Sequence, residues 1–177
     1  MERKNTALLV IDLQLGPIWG TYKQEETIEV IQRVISKAET TNIPIFYIQY
    51  EDPQNDVMKK GTQFWQFAPG ITPRKEDVII SKQAADSFYQ TNLHEELQKQ
   101  NITDLTIVGV RTDFCIDTTC RAALSLGYQV TLIEDGHTTV DDVLPAEQTI
   151  THHNSNLRKL STPDCKIVVI PSTNLVL

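Results

Sequence analysis

The run TALLVI (Thr6–Ile11) constrains this chain more than any other segment. A strand with one face in water alternates apolar and polar side chains, and this run does not alternate. It reads as a strand covered on both faces, as strands are in parallel sheets between helical layers. The same kind of run recurs along the chain. IFYIQY (45–50) follows Pro44, and Val78–Ser81, Leu105–Val110, Tyr128–Ile133 and Lys166–Ile170 complete the set. Helical stretches separate most of them. Glu25–Thr40 carries Ile28, Ile31, Ile35 and Ala38 at helical spacing. Thr91–Gln100 is the next. Phe114–Leu126 is stopped by Gly127, and Pro145–Leu160 has its proline in the first turn. Six strands alternating with helices predict an α/β fold: a three-layer α/β/α sandwich around a six-stranded parallel sheet. Right-handed crossovers are expected.

Length and composition narrow the setting. With 177 residues, the chain suits one domain over 1–177 with a substantial core. Net charge is −7, from 16 basic and 23 acidic residues, which disfavours nucleic acid or an anionic membrane as partner. No apolar stretch reaches 18 residues, so no membrane span is expected. MERKNTALLVID does not read as a signal peptide, because its apolar run is short and ends in aspartate. The three cysteines, Cys115, Cys120 and Cys165, are odd in number and do not suggest a disulfide framework. A reducing cytoplasm is the expected location.

Ligands of open parallel sheets bind beyond the carboxyl ends of the strands. Three reactive side chains fall there: Asp12 after ALLVI, Lys82 after VIIS, and Cys115 after TIVGV. A cysteine at a strand-to-helix junction meets unpaired backbone N–H groups, which favour thiolate and can hold an oxyanion. Asp12 is the candidate base and proton shuttle. Lys82, expected on a loop at the strand edge, would hold Asp12 and favour thiolate at Cys115. The amides near Arg111 and Cys115 are candidate oxyanion donors. An aspartate after the first strand also opens the haloacid-dehalogenase phosphatase motif, but Gln14 stands where that motif needs a second aspartate.

The segments LLVIDLQ (8–14), VIISKQAADSFYQTNL (78–93) and IVGVRTDFCIDTTCRAALSLGY (107–128), with HTTV (137–140), resemble the isochorismatase-like cysteine hydrolases. The resemblance implies strand order 3-2-1-4-5-6, a triad of Asp12, Lys82 and Cys115, and a cis peptide between Val110 and Arg111. That bond is expected to aim the Arg111 amide into an oxyanion hole beside the Cys115 amide. With this order Lys82 lies two strands from Asp12, so its side chain must lean inward. The resemblance also implies hydrolysis of a C–N amide-type bond of a small molecule through a thioester, no cofactor, and a homodimer or homotetramer. The alternative is a non-catalytic or redox-sensing member with a reactive thiol. Nicotinamidases of this superfamily bind a metal through an aspartate and histidines after strand two. Here that region reads YEDPQND without histidine, so no metal is expected. Glu51, Asp52 and Asp56 read as a solvated acidic loop rather than a hard-cation site.

Residues 51–76, with three prolines and two glycines, are irregular and too long for a passive connection. They are expected to form a lid or pocket wall. Candidate pocket residues are Gln14, Trp65, Phe67, Phe88 and Phe114. Cys120 is expected in the core and Cys165 to be inert. Arg121 is expected to be an ion-pair partner. His152 and His153 are adjacent, so they cannot share a helix face as metal ligands. With His137, they are expected to cap or to sit at a subunit interface.

Overall fold

The computed structural model describes residues 5–177, and the expectation about a leader at the N-terminus rests partly on residues outside that range. The strands are β1 (Thr6–Ile11), β2 (Ile45–Tyr50), β3 (Val78–Lys82), β4 (Asp104–Val110), β5 (Gln129–Thr138) and β6 (Ile167–Ile170). They form one parallel sheet in the order β3-β2-β1-β4-β5-β6. The helices are α1 (Leu15–Ile18), α2 (Gln24–Thr40), α3 (Leu93–Lys99), α4 (Asp117–Ser125) and α5 (Ala146–Leu157). A short 3₁₀ turn at Ser172–Asn174 follows β6. Among the described residues, no helix is long and apolar enough to cross a membrane.

The unbroken apolar run of β1 is explained by its two neighbours. Ala7, Leu9 and Ile11 point into a core shared with α3, α4 and α5, through residues such as Leu97, Cys120 and Leu157. Leu8 and Val10 point the other way, against Val30, Ile31, Val34 and Ala38 of α2. Alternate side chains of one strand thus feed two separate cores. The outer cysteines and Arg121 sit as expected. Cys120 is fully buried, Cys165 donates its thiol to the Gly127 carbonyl, and Arg121 holds Asp117 at 2.8 Å.

The element limits differ from the sequence reading in informative places. Lys82 is the last residue of β3, not part of a loop, because it continues the register pairing with Tyr50. The segment opening with Cys115 is not α-helical at first: Thr112–Ile116 forms a π turn, and α4 begins at Asp117. β5 runs to Thr138, five residues beyond the expected end. A bulge between its pairings with Ile107 and Gly109 lets it continue past Gly136. α1 was not expected from the sequence, since four residues are too few for a periodic signal.

Two glycines and an aspartate shape the sheet edge where the reactive groups lie. Gly109 has φ +133° and packs against β1 so closely that a Cβ would overlap the Ile11 carbonyl. Its missing side chain brings the ends of β1 and β4 together. Gly16 lies under Met58 and Phe64 and lets the irregular segment approach α1. Asp12 itself has φ +51°, a left-handed conformation that aspartate tolerates better than most residues. It turns the chain out of the sheet while its N–H still donates to Ile48 O at 2.9 Å.

Candidate active site

Asp12, Lys82 and Cys115 come from β1, β3 and the π turn after β4, and all three meet at the carboxyl edge of the sheet. Lys82 leans inward as its position requires: Nζ lies 2.9 Å from Asp12 Oδ2, with the two side chains 0% and 2% exposed. Nζ also donates to Ala85 O at 3.1 Å and lies 5.9 Å from the centre of the Tyr50 ring. The Cys115 thiol sits beside both groups and feels the charge of each. Asp12 Oδ1 is buried and has no hydrogen-bond partner among the described residues. A buried carboxylate oxygen left open next to a thiol is placed to accept its proton.

The electrostatics correct one expectation. Burial raises the Asp12 carboxyl, and Lys82 and Cys115 oppose that shift. Burial pulls Lys82 down, but Asp12 and Cys115 outweigh it and leave the ammonium firmly charged. Burial and the Asp12 carboxylate push the Cys115 thiol up to about 12, against the pull of Lys82. The resting group is therefore a thiol, not the expected thiolate. One cation cannot support two buried anions at once. The arrangement suits proton transfer from Cys115 to a carboxylate whose basicity burial has increased, at the moment of attack.

The π turn is held from β5. Asn154 Nδ2 donates to Glu134 O, so its Oδ1 faces His137 Nε2, at 2.9 Å, and must accept. His137 then carries its proton on Nε2, and Nδ1 accepts from Thr112 Oγ1 at 2.8 Å. Thr139 Oγ1 donates to Asp113 Oδ1 at 2.6 Å. Thus His137 of β5 and Thr139 just beyond it hold the first two residues of the turn that carries Cys115. This overturns the expectation for His137. It is 2% exposed, neither a cap nor an interface residue, and burial lowers its pKa to about 4. His152 instead contacts Asn156, and His153 contacts Asp117. A second tie joins α4 to the segment after β3. Thr119 Oγ1 lies 2.8 Å from Ser87 Oγ and 3.4 Å from the Ala85 carbonyl that receives Lys82.

A cavity of about 690 Å³ opens over these groups. Its walls come from α1 and its C-terminal flank (Gly16, Pro17, Trp19), Tyr50, the irregular segment (Val57, Met58, Phe64), and Val110, Arg111 and Phe114. Of the five residues expected to line a pocket, only Phe114 does so. Gln14 is fully buried and works as a brace, donating to Tyr50 O and Trp65 O and accepting from Tyr50 N. Phe67 packs edge-on against Tyr47, and Phe88 stacks on Tyr128 in the core. Trp65 offers its carbonyl to Gln14 and Gln49 and lies outside the cavity wall. The irregular segment is a wall, as expected, but through Val57, Met58 and Phe64 instead. Main-chain bonds Leu15 N–Gln66 O and Gly16 N–Phe64 O, both 2.9 Å, fix its phase. Only those long-range bonds decide which aromatics face inward, and local sequence does not encode them. Tyr50, the last residue of β2, carried a readable signal: it ends a strand at the edge where ligands bind.

The Val110–Arg111 peptide is cis, as the resemblance implied. Among the described residues, no cluster of three or more His, Cys, Asp or Glu is arranged to hold a metal ion. Glu51 accepts from Gln83 and Asp52 from the Gln54 amide, and the acidic side chains of this loop do not converge.

Fold and site together define a class: three-layer α/β proteins that gather a thiol, a carboxylate and an ammonium at the carboxyl edge of a six-stranded sheet. The chain belongs to the isochorismatase family, whose domain pattern matches residues 6–162. It is similar to streptothricin hydrolase of Streptomyces noursei, with 29% identity over 138 residues, covering 76% of this chain and 50% of that protein. The match thus spans about half the length of that relative. YrdC, an uncharacterised isochorismatase family protein of Bacillus subtilis, is 30% identical over 139 residues, 76% of this chain and 74% of the relative. A solved isochorismatase of Pseudomonas putida superposes with a TM-score of 0.83 at 26% identity, covering 98% of this chain and 91% of that one.

Proposed function

We propose that the protein is a cysteine hydrolase that cleaves a C–N amide-type bond of a small molecule through a thioester. One observation carries the reading: the buried Lys82–Asp12 pair leaves Asp12 Oδ1 open beside the Cys115 thiol, at the base of a ligand-sized cavity. Asp12 takes the thiol proton as sulfur attacks the carbonyl carbon. The Arg111 and Cys115 backbone amides hold the oxyanion. Collapse expels the amine, which receives the proton from Asp12, and the acyl group remains on sulfur. Asp12 then takes a proton from water as it attacks the thioester, and returns it to sulfur as the acid leaves. Lys82 stabilises the carboxylate throughout. On this reading no cofactor takes part, and the enzyme works in the cytoplasm as a homodimer or homotetramer.

The name of the Streptomyces noursei relative, streptothricin hydrolase, supports hydrolysis as the chemistry. The rival reading, a redox sensor, calls for a low-pKa thiol. A thiol pushed up to about 12 is unsuited to that role. The test is a panel of small amides and ureides followed by ammonia release, with intact-mass analysis of quenched enzyme. Wild-type protein is expected to turn over at least one member and to show an acyl adduct on Cys115. Cys115→Ala is expected to do neither while keeping its melting temperature. Full activity of Cys115→Ala on an identified substrate would overturn the proposal.

A further inference from the structure

The walls of the cavity are more specific than its floor. Trp19 and Phe64 stack on one another with centroids 5.6 Å apart and planes within 20°, so an outer face of the pair offers an aromatic shelf. Tyr50, Met58 and Phe114 complete an apolar enclosure. Trp19 is 68% exposed and Phe114 54% exposed, so aromatic surface stands open to water in the same cavity as the partly buried Cys115. Large exposed apolar side chains that converge on one cleft mark a binding surface. Charge is sparse there. Asp12 is the cavity's only acidic side chain, and Lys82 already neutralises it. Arg111 lines the wall without an ion-pair partner among the described residues.

We infer that the substrate is a planar, apolar amide, an aryl or similar ring on the acyl side, carrying no positive charge. The inference rests on the amide-hydrolase reading and names its substrate class. A ring on the Trp19–Phe64 shelf replaces water on both partners, and its carbonyl then reaches down toward Cys115. A cationic amide finds no free carboxylate in the cavity and meets an arginine, Arg111, in its wall. A small polar ureide leaves the shelf wet and gains nothing from it. Cationic amides of the streptothricin kind thus fit this cavity poorly.

The test compares kcat/KM for acetamide, phenylacetamide, 4-ethylphenylacetamide and its near-isostere 4-(aminomethyl)phenylacetamide. Binding of the aryl amides to Cys115→Ala is followed in parallel by tryptophan fluorescence and calorimetry. Phenylacetamide is expected to exceed acetamide by about 100-fold, the scale of burying one ring. The ammonium analogue is expected to fall at least about tenfold below its ethyl isostere. Trp19→Ala is expected to shrink the aryl preference, mainly through KM.

Equal turnover of acetamide and phenylacetamide overturns the inference and leaves the hydrolase reading standing. Binding of phenylacetamide to Cys115→Ala, with no acyl adduct on the wild type, overturns the hydrolase reading while the occupant of the cavity stands. Failure of every aryl amide both to bind and to react overturns the inference. So does a Trp19→Ala variant that changes oligomeric state and leaves selectivity intact, since the shelf is then an interface.

Discussion

The floor and the walls of the cavity are built in opposite ways. The floor is made of strand ends: Asp12 and Lys82 are almost completely buried, and the Cys115 turn is held by His137 of β5 and Thr139 just beyond it. Lys82 is fully partnered, and of Asp12 only one carboxylate oxygen is left open among the described residues. Much of the outer wall is loop: Met58 and Phe64 lie in an irregular segment attached by main-chain bonds, and Trp19, just after α1, projects into water. Groups that perform bond chemistry must hold position to fractions of an ångström, and the sheet edge supplies that rigidity. Groups that choose a ligand need shape and apolar area, which a loop can supply and vary. Disturbing the floor is therefore expected to alter reactivity and its pH response. Disturbing the walls is expected to alter affinity alone.

The largest effect expected is at the floor. Asp12→Asn removes the proton acceptor and the charge that helps hold the Cys115 thiol near 12. Turnover is expected to fall by about 10⁴-fold. Alkylation of Cys115 by iodoacetamide is expected to speed up, because Lys82 then faces the thiol without a competing carboxylate. In the wild type the same alkylation is expected to be slower at pH 7 than that of a free cysteine. Peptide mapping separates Cys115 from the partly exposed Cys165. If Asp12→Asn slows both turnover and alkylation, the carboxylate is not what keeps the thiol protonated. Melting curves accompany the assay, since the variant leaves Lys82 buried without its partner.

A smaller effect is expected from the network behind the floor. Burial, with a further push from His153, lowers His137 to about 4 against an ordinary 6.5, while Asn154 and Asp135 oppose the shift. The unfolded chain therefore binds a proton between pH 6.5 and 4 that the folded chain does not. Stability present above pH 6.5 is lost as pH falls through that window, by about 3 kcal/mol for this one group. Asp12, with its carboxyl raised, acts in the opposite sense and gains stability in acid. The His137 contribution is therefore read as a difference. Urea unfolding at pH 7, 5.5 and 4 is expected to show a steeper acid loss for the wild type than for His137→Gln. Equal slopes would mean that His137 titrates normally.

The same division explains what the sequence made legible. The sheet and the positions of Asp12, Lys82 and Cys115 at its edge follow from unbroken apolar runs, and the strand order from the resemblance that the local motifs carry. The inward lean of Lys82 needed only the strand order. The cavity wall was not legible in this way. Phe64, Trp65 and Phe67 fall within four residues, and which of them faces the cavity depends on bonds to Leu15 and Gly16 some fifty positions away. The role of His137 was not legible for a related reason: the bulge that carries β5 past Gly136 leaves no periodic trace, so nothing local places its ring against the Cys115 turn. The thiol's protonation state depended on a balance among three buried groups, which residue types alone do not determine.

The smallest effect is expected at the wall, and it tests the contrast most directly. Met58 touches the cavity but belongs to neither hydrophobic core. Met58→Ala removes apolar contact without opening a buried void, so stability is expected to fall by less than about 1 kcal/mol. KM for phenylacetamide is expected to rise about fivefold, the scale of one lost methylene contact or slightly more. A loss of that kind weakens ground state and transition state alike. The pH dependence of kcat is expected to stay where it was, because the uncharged Met58 side chain is not among the groups that shift Asp12, Lys82 or Cys115. If Met58→Ala shifts that pH profile, the wall is coupled to the charges below it, and floor and wall act as a single device.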